Sequence, residues 1–114
     1  MTRRAARVLA LVLASAAATV RAQHAGAPTA AEVEAGRKLY VSSCQRCHGI
    51  ALVTAGIGFD LRTFPQHDKA RFVRSVSQGV GAMPAWGETL NPEQLDLLWG
   101  YIGAVNGWRD SPPR

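Results

Sequence analysis

Apolar residues recur at helical spacing in three stretches of the chain, separated by two stretches where no period is sustained. In the last stretch Leu95, Leu98, Trp99 and Ile102 fall at i, i+3, i+4 and i+7, which is one face of an α-helix. Asn91-Pro92-Glu93 marks its start: an N-cap side chain, a proline where the missing N–H does no harm, then a carboxylate in the first turn. Gly103 and Gly107 are expected to loosen its end. In the middle stretch, 69–78, Phe72, Val73 and Val76 lie on one side, with Asp68 as the cap and Gly79 as the stop. The first stretch opens on Thr29-Ala30-Ala31-Glu32, a capping box in which hydroxyl and carboxylate satisfy each other's backbone amides. It runs through Val33, Gly36, Leu39 and Tyr40 into Cys44. Gly36 inside a helix costs up to about 1 kcal/mol against alanine, so it marks a place where another element approaches closely. Residues 49–66 and 79–90 are punctuated by glycine and proline and read as loops. With no strand alternation, no repeat and no second domain, the expected fold class is all-α, with three main helices and two glycine-rich loops.

A fourth apolar run precedes these. Arg3, Arg4 and Arg7 form a basic start, residues 8–20 carry no charge, and Val20-Arg21-Ala22 closes the run on small residues. This is the layout of a secretory signal peptide, expected over residues 1–22 with cleavage after Ala22. The run is short for a bilayer span, which needs about 20 apolar residues, so an uncleaved anchor is the lesser reading. Residues 23–28 are then a flexible start, 29–106 the folded domain, and 107–114, including Trp108, a loose tail.

The leader changes the charge argument. Of 13 Lys and Arg, four (Arg3, Arg4, Arg7 and Arg21) lie in it, and all 8 acids lie beyond it, so the +5 of the whole chain becomes +1 after residue 22. The basic pI therefore says nothing about nucleic acid. The 92 residues from 23 to 114 bury a modest core, to which a large apolar cofactor would add.

Chemistry concentrates at Cys44-Gln45-Arg46-Cys47-His48. C-x-x-C-H is the spacing of c-type haem attachment. One helical turn sets both thiols along one porphyrin edge for thioether bonds, and His48 follows as the proximal iron ligand. A zinc site needs four ligands, and His24 and His67 are in no paired spacing. A thioredoxin-like pair belongs to a βαβ context, whereas this motif ends a helix. A proximal histidine leaves the sixth iron position open, and electron-transfer cytochromes fill it with methionine. Met83 is the only methionine besides Met1, and it sits in Gly81-Ala82-Met83-Pro84-Ala85-Trp86-Gly87, a loop between two helices. A lone methionine is usually core filler; this placement argues for a ligand.

With these motifs the chain resembles the class I (mono-haem) c-type cytochromes over nearly all of its length beyond the leader. The resemblance implies three helices wrapped around one covalent haem c, held through Cys44 and Cys47, with iron between His48 and Met83. It also implies a crossing of the first and last helices, with Gly36 and Tyr40 meeting Leu98 and Tyr101. The family often carries Gly-Pro-x-Leu after the haem motif, the proline carbonyl accepting from the histidine ring and so orienting it. Here the stretch reads Gly58-Phe59-Asp60-Leu61, so the carbonyl of Phe59 would have to serve. Arg62 is a candidate partner for a haem propionate or a solvated loop cation. Trp86 donates to a propionate or covers the haem edge. His24 and His67 are expected in solvent, and Trp99 in the core.

No nucleophile, general-base pair or substrate cleft is visible, which points to a monomeric one-electron carrier rather than an enzyme. The expected partners are redox proteins: a dehydrogenase donor and an oxidase or other acceptor, met in the periplasm, with no nucleic acid and no membrane span after cleavage. The stretch 81–100 is similar to small periplasmic cytochromes that serve pyrroloquinoline-quinone (PQQ) alcohol dehydrogenases. Three other functions stay open: a respiratory shuttle to a terminal oxidase, a haem enzyme or gas sensor with an open sixth site, and a permanent haem subunit of a dehydrogenase.

Overall fold

The computed structural model describes residues 26–108, so the leader expected over 1–22 and the last residues of the tail lie outside them. Four α-helices follow in order: α1 (Ala30–Ser43), α2 (Gln45–His48), α3 (Lys69–Gln78) and α4 (Pro92–Asn106). Short 3-10 turns at Ile50–Leu52 and Leu61–Thr63 sit in the first long loop. Among the described residues there are no strands and no helix long and apolar enough to cross a membrane.

Helix starts follow from local chemistry. The Thr29 hydroxyl accepts from the Glu32 amide at 3.2 Å and the Glu32 carboxylate accepts from the Thr29 amide at 2.7 Å. Asp68 caps α3 through the Arg71 amide, and Asn91 and Gln94 form a second capping box ahead of Pro92. α1 ends one residue earlier than expected, because Cys44 departs from helical geometry (φ −117°) before α2 resumes.

α1 packs principally across α4. A Cβ on Gly36 would collide with the Leu97 carbonyl and lie 2.9 Å from the Tyr101 Cβ, so only glycine permits this crossing. The contact is therefore with the backbone at Leu97, one residue before the Leu98 expected from the resemblance; the fully buried Leu98 side chain fills the adjoining core. Tyr40 and Tyr101 stack beside it with ring centroids 5.1 Å apart. The core combines Tyr40, Leu98, Tyr101 and Ile102 from this crossing with Phe72 and Val76 of α3 and with Leu52, Phe64 and Leu90 of the loops.

The end of α4 is firmer than expected. Gly107 adopts the left-handed conformation (φ 66°), and the Trp108 amide donates back to the Gly103 carbonyl at 2.9 Å. The Trp108 ring then lies over Gly103, where a Cβ would be 2.8 Å from it, and stacks on Trp99 at 4.5 Å. Gly103 thus makes room for an aromatic rather than loosening the helix, and the first two residues of the expected tail are docked. Asn106 also donates to the Leu61 carbonyl at 3.0 Å, tying α4 to the first loop.

Candidate haem site

Cys44 and Cys47 lie on one helical turn: the amides of Cys47 and His48 both donate to the Cys44 carbonyl, at 3.1 and 3.0 Å. Cys44 is partly buried and Cys47 exposed, and they form no disulfide with each other. Burial, reinforced by Cys47, pushes the Cys44 thiol up to about 11. The described residues form no cluster of three or more His, Cys, Asp or Glu side chains able to hold a metal ion.

His48 is buried, and its Nδ1 lies 2.9 Å from the Phe59 carbonyl oxygen. A carbonyl only accepts, so Nδ1 carries the proton and Nε2 keeps its lone pair for a metal. The segment that delivers this carbonyl is fixed just before Phe59. Gly58 donates to the Cys47 carbonyl at 2.9 Å, and its own carbonyl accepts from the Thr54 hydroxyl at 3.0 Å. A Cβ at Gly58 would stand 2.9 Å from His48 Nδ1 and 2.8 Å from the Cys47 oxygen. The loop leaving His48 turns sharply through Gly49 (φ 83°), Ala51 (φ 49°) and Leu52 (φ 67°). Two consecutive non-glycine residues in the left-handed region store strain. The buried Leu52 side chain and the Tyr40 hydroxyl, which donates to the Gly49 carbonyl at 2.6 Å, hold this turn in place.

Met83 is held differently. Val80 and Met83 exchange two backbone hydrogen bonds at 3.1 and 3.0 Å across a tight turn. The turn is lashed to the end of α3: Trp86 donates to Val76 at 2.8 Å and Gly87 to Ser77 at 3.1 Å. Gly79 (φ 74°) lets the Met83 carbonyl pass where a Cβ would come within 2.7 Å. The Met83 side chain is half-buried against the core, and so is Trp86.

Arg62 pairs with a close neighbour. Its guanidinium forks onto the Asp60 carboxylate at 3.1 and 3.0 Å, which holds the Asp60 carboxyl below its ordinary range. His67 is exposed and Trp99 joins the core, as expected, while His24 lies outside the described residues. Sequence reasoning passed over Arg71, whose guanidinium carbon lies 4.5 Å from the Phe64 ring centroid and 5.8 Å from that of Phe59. No motif marks it, because the contact depends on how the first loop meets α3.

The residues present fit a haem. The donor set is two thiols on one turn, an imidazole with its outer nitrogen already bonded, and a thioether. The two loops also leave Ile50, Val53, Ile57, Phe59 and Val80 about half exposed or more. Such apolar surface is what a large apolar ring would cover.

Fold and donor set together define the class: a class I c-type cytochrome domain, whose cofactor is covalently attached haem c and whose chemistry is electron carriage. Residues 31–102 match the family model described as cytochrome C oxidase, cbb3-type, subunit III, and the chain belongs to that family. It is 35% identical over 74 residues to the quinohemoprotein alcohol dehydrogenase ADH-IIG of Pseudomonas putida, a match covering 63% of this chain and 10% of that protein. It is 32% identical over 80 residues to cytochrome c6 of Gloeothece citriformis, covering 64% of this chain and 73% of that one. The cbb3-type cytochrome c oxidase subunit FixP of Bradyrhizobium diazoefficiens is 30% identical over 94 residues, covering 72% of this chain and 31% of that subunit. The chain thus spans about a tenth of the dehydrogenase and most of the cytochrome c6.

Proposed function

We propose that the chain is an exported one-electron carrier in which Cys44 and Cys47 hold the haem and His48 Nε2 and Met83 Sδ are the axial ligands. It works in the periplasm between a dehydrogenase, of the PQQ alcohol-oxidising kind, and the respiratory chain. The observation that carries the reading is the His48 Nδ1–Phe59 carbonyl contact at 2.9 Å, which fixes the tautomer that a metal-binding imidazole needs. When bound, the haem iron supplies the chemistry by alternating between ferric and ferrous states.

The chain's own residues do the rest. The Phe59 carbonyl raises the basicity of His48, and the α3 lashings present the Met83 sulfur without a polar contact of its own. The apolar loop residues exclude water. Export is supported by the signal-peptide layout of residues 1–22. The dehydrogenase donor is supported by the likeness to a quinohemoprotein alcohol dehydrogenase.

A second reading is favoured by one observation. In two of the relatives named above the matching segment is a small part of a longer chain, 10% of one and 31% of the other. The domain would then serve as a resident relay of an oxidase or dehydrogenase assembly.

Stopped-flow mixing of the oxidised holoprotein with a reduced PQQ alcohol dehydrogenase from the same organism tests the donor. Reduction of a many-fold excess of cytochrome is expected for a carrier. No reduction would remove that donor. Elution from native extracts only as part of a large complex would favour the resident relay.

A further inference from the structure

Phe59 carries out a task that needs a fixed backbone, yet nothing in its own covalent structure fixes it. It lacks a ring across φ. Hydrogen bonds secure Gly58 before it and Asp60 after it, the latter through the Asp60 carboxylate and the Arg62 amide at 3.0 Å. What holds Phe59 itself is its ring. That ring meets the edge of Phe64 with centroids 6.3 Å apart, and the Arg71 guanidinium lies over both rings. Phe64 is buried and meets Phe72 at 6.4 Å and Trp99 at 5.8 Å, so the clamp is anchored in the core. Arg71 is aimed from its backbone side by α3, whose first turn is capped by Asp68, and from its head by the Asp68 carboxylate at 3.8 Å.

The geometry points to Arg71 as a positioning residue for the proximal ligand: its guanidinium clamps the Phe59 ring against Phe64 and so keeps the Phe59 carbonyl on His48 Nδ1. This rests on the reading of His48 as the iron ligand. A cation over an aromatic face is attracted by the ring quadrupole, and two faces at once restrict the Phe59 ring more than its edge contact with Phe64 would alone. The consequence reaches the iron through the imidazole. A well-seated Nδ1–H···O bond raises the basicity of Nε2 and favours the ferric state, so loosening it raises the reduction potential.

The test compares Arg71→Gln with Arg71→Lys and the unsubstituted protein, all as holoprotein at one pH. NMR follows the His48 Nδ1 proton, and voltammetry follows the potential. For Arg71→Gln, exchange of the Nδ1 proton is expected to quicken about two- to fivefold, the size that a cation–ring contact at a half-exposed site carries. The potential is expected to rise, and Arg71→Lys, which keeps a cation, to recover part of both changes. Unchanged exchange and potential in Arg71→Gln would overturn the proposal. So would faster exchange spread evenly over the core amides at constant potential, because that is the pattern of a residue which only stabilises the fold. If the unsubstituted holoprotein shows no iron-shifted His48 signals, the ligand reading itself has failed, and that outcome is separate from the two above.

Discussion

The two regions that carry the proposed ligands, Cys44–His48 with its loop and the Val80–Gly87 turn, are built on opposite principles. On the His48 side the ligand is oriented by a polar contact, the 2.9 Å bond to Phe59, reached through a loop that tolerates two left-handed non-glycine residues. On the Met83 side the side chain has no hydrogen-bond partner among the described residues; its backbone pairs with Val80, the turn is tied to α3 through Trp86 and Gly87, and the sulfur depends on packing. The histidine is thus tuned by what touches its ring, and the methionine only by where its backbone stands. Perturbing the first should change the electronic character of the site. Perturbing the second should change whether the ligand is present at all.

The largest effect is expected from removing the packed ligand. Met83→Ala should lower the reduction potential by tenths of a volt, on the order of the shifts that axial ligands command within their ~0.8 V range. Voltammetry of the holoprotein reads this directly. An unchanged potential would mean that Met83 stands off the iron and that the two regions are not a pair.

The next pair of substitutions separates the regions. Gly58→Ala forces a Cβ to 2.9 Å from His48 Nδ1, at a cost of about 1–3 kcal/mol, and should shift the potential while leaving the red absorption band of methionine ligation in place. Gly79→Ala, at φ 74° and 2.7 Å from the Met83 carbonyl, should cost about 1–2 kcal/mol and weaken that band instead. Denaturation curves and ferric spectra give both readouts. Identical spectral responses would erase the distinction.

Tyr40→Phe comes next. Leaving the Gly49 carbonyl without its donor should cost about 1–2 kcal/mol. Burial pushes the Tyr40 phenol from 10.0 up to about 12, so between those values the folded chain keeps a proton that the unfolded chain has lost. Stability therefore falls as pH rises through this window, and Tyr40→Phe should flatten that fall. Urea titrations at pH 9 and about 11.5 check the sign. The smallest effect has the opposite direction: Ala51→Gly relieves a left-handed alanine (φ 49°) and should stabilise by about 0.5 kcal/mol.

What the sequence made legible was mostly local. Thr29 with Glu32, Asp68, and Asn91 with Pro92 act within one turn of their own helices, so spacing alone reveals them. The candidate donors Cys44, Cys47 and His48 stand out in the sequence because haem attachment imposes a fixed order on such residues. The close approach at Gly36 was legible, but naming its partner needed the resemblance, and even then the backbone it meets belongs to Leu97, since a glycine contact is made with main chain that no periodicity marks. The docking of Trp108 on Gly103 was hidden because glycine near a helix end ordinarily signals fraying. The Asn106 bond to Leu61 spans 45 residues, beyond the reach of any local rule. Arg62 was open between a haem propionate and a solvated loop, and its ion pair with the carboxylate two residues away carries no motif of its own.

The central claim is that His48 and Met83 both occupy the iron. Carbon monoxide added to the reduced holoprotein tests it most directly, because a closed sixth position excludes the gas. The account expects the absorption spectrum to stay unchanged on mixing, and to respond at once in Met83→Ala. An immediate carbon monoxide spectrum in the unsubstituted protein would contradict it.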